Sequence, residues 1–235
     1  MTNTILYLLL FAGVIASGSI VIFTKVSGKT LKLVLSFSGA YLFAITILHL
    51  IPDIYASTSA RIGIYVLAGF LLQIFLEFFS EGIEHGHIHV HKHAESAFPF
   101  TMMLALSVHS FLEGMPMAGA WNDTKQSLLI GIILHNIPIA IALMSMLMQS
   151  HISNSKAFLW LIVFALMTPL GTLANTMIGQ SIGIDGFSEK IMGMVIGIFL
   201  HISTTILFES GDEHRFNLVK FATIVAGMGL AILFL

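Results

Sequence analysis

His109 and Glu113 stand four residues apart in the otherwise apolar run MLALSVHSFLEGMPMAG, Met103 to Gly119. On a helix they lie one turn above each other on one face, about 6 Å apart along the axis. Imidazole and carboxylate at that spacing form a pair able to hold a metal ion. An ionisable group at membrane depth costs at least about 2.5 kcal/mol on insertion scales, so such a pair persists only where a partner, a cation or a water-filled cavity offsets the cost. Pro116 follows in what reads as the same helix. Lacking an N–H, it kinks the backbone and leaves the carbonyl of Leu112 open as a further oxygen for a cation.

The run LHNIPIAIAL repeats the theme, with His135 and Asn136 followed by Pro138, which frees the carbonyl of Leu134. Two neighbouring helices broken by proline beside histidine look like a coordination centre. Proximity of His109, Glu113 and His135 in lipid makes chemical sense around a cation. HLIPD sets His49 and Asp53 four apart around Pro52, where they could collect cations. In the stretch EHGHIHVHKH, His85, His87, His89, His91 and His93 alternate, so they cannot share one helix face; in an extended loop they make a weak transition-metal binder. Glu77, Glu81 and His85 continue the four-residue spacing towards that loop and read as an exit ladder. His201 and Glu209 are accessory candidates, and Asn175, one turn beyond the Thr168–Pro169 break, reads as a packing amide.

The elements that must hold these groups follow from composition. Of 235 residues 57% are hydrophobic and 9% charged, and the mean hydropathy is +0.95; in soluble proteins about a quarter of residues are charged. The chain reads as an all-α polytopic membrane protein and one transmembrane domain over residues 1–235, with membrane lipid as a partner and no nucleic acid. There is no cysteine, so any metal is held by His, carboxylate, amide or backbone oxygen. Eight apolar segments can be marked: Ile5 to Phe23, Leu33 to Ile51, Ile62 to Phe79, Phe98 to Ala118, Leu128 to Met148, Ala157 to Ile178, Lys190 to Phe208, and Phe216 to Phe234. The first lacks a basic stretch before it and reads as a retained helix. Loops after odd-numbered segments carry Lys25, Lys29, Lys32, Lys92, Lys156, Arg215 and Lys220, against Arg61, Lys125 and Lys190 on the other side. The positive-inside rule then puts both termini outside, in a plasma membrane or bacterial inner membrane. Gly193 and Gly197 form a small-xxx-small pair suited to close helix packing.

With HLIPD, the His-rich loop, HSFLEG, HNIP, TPLG and FLHISTTILFE in this order over eight spans, the chain resembles the ZIP (Zrt/Irt-like) family of divalent metal transporters. The resemblance implies uptake of Zn²⁺ or a similar divalent transition metal toward the cytoplasm, a transport site on the fourth and fifth spans, one helix bundle sliding or rocking against another, and a homodimer. Carried over, His109, Glu113 and His135 match the main site's ligands. Three positions depart: Ser110 stands where members commonly have Asn, Ile139 where they usually have an acidic residue, and Thr168 where some have Glu. One metal is therefore expected, held by His109, Glu113 and His135, with Asn136, a freed carbonyl or water completing the shell. Because an imidazolium must lose its proton before it can bind metal as neutral imidazole, uptake should fall in acid. Two other readings use the same residues: an intramembrane zinc-dependent hydrolase, which needs a zinc-bound water and a general base, and a metal-binding homologue that senses without transporting.

Overall fold

The computed structural model describes residues 3–57, 61–85, 100–150, 152–181, 186–208 and 217–234, and these are almost wholly helical. Each expected apolar segment corresponds to one helical stretch, in the same order. They are α1 (Asn3–Phe23), α2 (Gly28–Ile45), α3 (Ile51–Ser57), α4 (Ile62–Ser80), α5 (Phe100–Gly114), α6 (Asp123–Gln149), α7 (Asn154–Ser181), α8 (Phe187–Phe208) and α9 (Leu218–Ile232). The second segment is α2 and α3 joined through a π-helical turn, Thr46–Leu50, that contains His49. Among the described residues six stretches are long and apolar enough to cross a membrane. By contrast α5 and α9 have 15 residues each, about 22 Å of helix against a hydrocarbon thickness of about 30 Å.

Several helices start earlier than hydropathy alone indicates, because their first turns are polar and capped. Ser27 accepts the amide of Thr30 at the head of α2, and Asn122 accepts that of Lys125 at the head of α6. A side-chain oxygen at this position satisfies one of the amides that a first turn leaves open. The prolines also behave differently from one another. Both α6 and α7 run unbroken through Pro138 and Pro169, so the expected pair of broken helices reduces to one. Only α5 stops, at Gly114, and Pro116 sits in the 3₁₀ turn Met115–Met117 that follows. There α7 takes up the carbonyls released at the helix end: Thr172 donates to Gly114 O at 2.8 Å and Asn175 to Met115 O at 2.8 Å.

With α3 continuing α2 through the π-helical turn, the helices pack in two groups of four. One is α1, α5, α6 and α7, where α1 lies mainly on α6 and α5 mainly on α7; the other is α2, α4, α8 and α9, where α4 lies mainly on α8 and α9 on α2. The groups meet where α2 crosses α6 and α4 crosses α5. Glycines set the closest approaches. A Cβ on Gly197 of α8 would stand 1.9 Å from Val66 O, and one on Gly69 of α4 1.9 Å from Met194 O, so these backbones touch as only glycine permits. The most enclosed apolar stretch is that of α6, 78% buried, whereas that of α4 is 22% buried and turns Ile64, Leu67, Leu71, Phe75 and Phe78 outward. An outward apolar face on a spanning helix is what lipid solvates.

At the end of α4, Glu81 takes a left-handed conformation with φ 55°, and Gly82 follows with φ 71°. The chain turns there, so the spacing of Glu77, Glu81 and His85 does not continue as one helical ladder. The 3₁₀ turn Ile83–His85 instead packs against α6 and buries Glu84, which accepts a hydrogen bond from Ser80 at 2.5 Å.

Candidate metal centre

Three of the chemistry-bearing side chains meet. One ligand atom each from His109, Glu113 and His135 lies within 4.8 Å of the others; all three residues are fully buried, and among the described residues no other three histidines or carboxylates gather in this way. His109 Nε2 is 3.8 Å from Glu113 Oε2, and the two imidazoles stand nearly edge to face, with centroids 5.9 Å apart. Ligands at about 2.1 Å from a tetrahedral Zn²⁺ are about 3.4 Å from each other, so the cluster needs only a small contraction to close on an ion.

Each ligand is held by a different part of the fold. The closing turn of α5 presents His109 and Glu113 on one face, and α7 fixes that turn from behind. His135 and Asn136 come from the middle of α6, whose own packing is against α1 and α2. The donors on α5 and α6 therefore face each other across a gap between helices that take other helices as their main neighbours. Asn136 Nδ2 donates to Glu113 Oε2 at 3.3 Å, leaving Asn136 Oδ1 and Glu113 Oε1 as buried acceptors with no hydrogen bond. Two buried lone-pair donors without a proton between them are costly unless a cation meets them.

Sequence reasoning missed Gln73, a fully buried amide on α4 whose Oε1 is 3.0 Å from His109 Nδ1. Its only signal was a lone amide in a largely apolar span. Ser110 and Thr168, two of the departures from the family pattern, hydrogen-bond each other at 2.7 Å, both buried. The third, Ile139, is fully buried.

The remaining candidates among the described residues lie apart from this cluster. His49 is partly buried, and its Nε2 has no hydrogen-bond partner; Asp53 is exposed and accepts a short hydrogen bond from the Thr124 hydroxyl, tying α3 to the first turn of α6. His201 stands beside Glu77, Nε2 to Oε2 3.4 Å, and its ring and that of Phe70 meet nearly at right angles, with centroids 5.0 Å apart. Glu81 is exposed. His87, His89, His91, His93 and Glu209 lie outside the described residues, as does the side chain of His85.

A family model described as ZIP Zinc transporter matches residues 84–235. Among curated proteins, the chain is 24% identical to zinc transporter ZIP1 of Homo sapiens over 86% of its own length and 77% of that protein. It is 30% identical to protein zntD of Dictyostelium discoideum over 57% of its length but only 21% of that protein. With zinc transporter ZIP9-B of Xenopus laevis it shares 25% identity over 64% of its length and 52% of the relative. The chain thus spans about half or less of the latter two proteins.

Proposed function

The chain belongs to the ZIP zinc transporter family, and we propose that it moves Zn²⁺, or another divalent transition metal, toward the cytoplasm through a site between α5 and α6. The observation that carries this reading is the meeting of His109, Glu113 and His135 in a fully buried cluster. Residues 1–235 act as one transmembrane transporter domain with both termini outside, embedded in lipid and paired as a homodimer. His49 and Asp53 collect the ion at the outer end. The ion exchanges part of its hydration shell for the two imidazoles, the Glu113 carboxylate and Asn136 Oδ1, then leaves past Glu81 and Glu209 to the histidines from His85 to His93. A family described as zinc transporters gives the hydrolase alternative no support.

Charge explains why such a site would release its cargo. One carboxylate and two neutral imidazoles leave Zn²⁺ with a net single positive charge, and Ile139 supplies no second carboxylate to cancel it. Binding is then strong enough to strip water and weak enough to let go. Softer selectivity accompanies it, since two imidazoles and a carboxylate accept several first-row metals. The hydrogen-bonded Ser110–Thr168 pair offers hydroxyls in place of an amide and a carboxylate, so one ion at the centre is expected. Zinc-soaked crystals measured on both sides of the absorption edge should show one anomalous peak among His109, Glu113 and His135; two peaks there would overturn the single-ion site. Proteoliposomes with an entrapped zinc indicator test the function itself. Influx should exceed that of protein-free vesicles and saturate with external zinc, whereas binding without flux would mark a sensor.

A further inference from the structure

His109 can serve as a ligand through Nε2 only if its proton sits on Nδ1, because a protonated ring nitrogen has no lone pair to give. In water the two tautomers exchange freely. Here Nδ1 faces Gln73 Oε1 at 3.0 Å inside a fully buried site. A carboxamide oxygen accepts and cannot donate, so Nδ1 carries the hydrogen and Nε2 presents its lone pair on the side of Glu113, 3.8 Å away. Partners of this kind orient a metal-binding histidine and raise its basicity.

The location of Gln73 adds a second consequence. It lies on α4, in one group of four helices, whereas His109 lies on α5, in the other. The hydrogen bond therefore spans the seam between groups. A relative shift of roughly half an ångström to one ångström is enough to break it, since geometry beyond about 3.5 Å no longer makes a hydrogen bond. Resting on the reading of His109 as a zinc ligand, we propose that Gln73 is a positioning residue whose oxygen locks the metal-binding tautomer of His109 only while the two helix groups hold this relative position. Zinc affinity at the centre is then set by the register between the groups, and movement at the seam loosens the ion without any change in its ligands.

Purified full-length protein in detergent, titrated with Zn²⁺ and melted in parallel, tests this with Gln73→Leu, Gln73→Glu and His109→Ala. Leu fills similar space but cannot accept; Glu keeps an acceptor oxygen. Loss of such a partner costs 10- to 100-fold in metal affinity in known sites. Gln73→Leu should weaken Zn²⁺ binding by about that factor while still melting well above the titration temperature, because the buried amide nitrogen it removes, which has no hydrogen bond, offsets part of the cost of taking away the acceptor for His109 Nδ1. Gln73→Glu should bind at least as tightly as wild type. Wild-type affinity in Gln73→Leu, or equal losses in the Leu and Glu variants, would overturn the proposal and leave Gln73 a packing residue. Unchanged binding in His109→Ala would instead remove the ligand assignment on which it stands.

Discussion

Zinc influx into proteoliposomes carrying His109→Ala with Glu113→Ala should fall to that of protein-free vesicles. The double substitution strips two of three donors from the face of α5 and leaves His135 and Asn136, both neutral, opposite a void. Without the carboxylate the ion keeps its full double charge. Since the Born cost of a buried charge grows with its square, the electrostatic penalty of occupying the centre rises about fourfold over the singly charged complex. Two lost ligands should each cost more than the 10- to 100-fold typical of a lost supporting residue. The variant should still fold despite the two buried side chains it loses, because alanine is the best helix former and α5 keeps its packing on α7. Monodisperse elution and an unchanged helical spectrum would establish that. Glu113→Gln, which preserves shape and removes charge, separates the electrostatic part: it should retain binding to His109 and His135 but lose most flux. Unaltered influx in the double variant would strike the centre from the transport route.

The architecture and the three converging side chains were visible in the sequence for one reason: both rest on contrast. Eight apolar runs stand out against polar connections, and His109, Glu113 and His135 stand out because ionisable groups are rare in such runs. What contrast cannot show is the tertiary partner. Gln73 is 36 positions from His109 and Ser110 is 58 from Thr168, with no spacing rule linking either pair. Helix ends were also obscured, since Ser27 and Asn122 cap turns that hydropathy scores as loop. The prolines were misread for a related reason. Each removes one backbone donor, and whether a helix continues depends on how firmly its neighbours hold it. Enclosed α6 runs on through Pro138, whereas the end of α5 finds Thr172 and Asn175 ready to take its carbonyls and stops.

Gly171→Ala, a single methyl on a residue that is not itself a ligand, should disable the centre nearly as thoroughly as removing a ligand. A Cβ on Gly171 would stand 1.8 Å from Phe111 O, and one on Gly114 would stand 2.1 Å from Thr168 O. The two glycines face each other's helices across the crossing of α5 and α7, and the contacted atoms are backbone, which cannot swing aside as a side chain does. Relief requires the helices to part by more than an ångström. Overpacking of this kind costs about 1–3 kcal/mol, so the melting temperature should drop. The functional effect should be larger than the loss of stability suggests. Phe111 lies between His109 and Glu113 in the chain, so any outward shift of α5 carries both ligands relative to His135 on α6, where metal–ligand distances tolerate only about 0.2 Å. Zinc affinity should fall by at least tenfold at a temperature where the variant is still folded. Gly179→Ala, on the same helix but with nothing within 4 Å of its added carbon, is the control. It should be neutral or stabilise by about 0.5–1 kcal/mol, the ordinary gain of alanine over glycine in a helix. Were Gly171→Ala to melt and bind zinc as Gly179→Ala does, the close crossing of α5 and α7 would not be what holds His109 and Glu113 in register with His135.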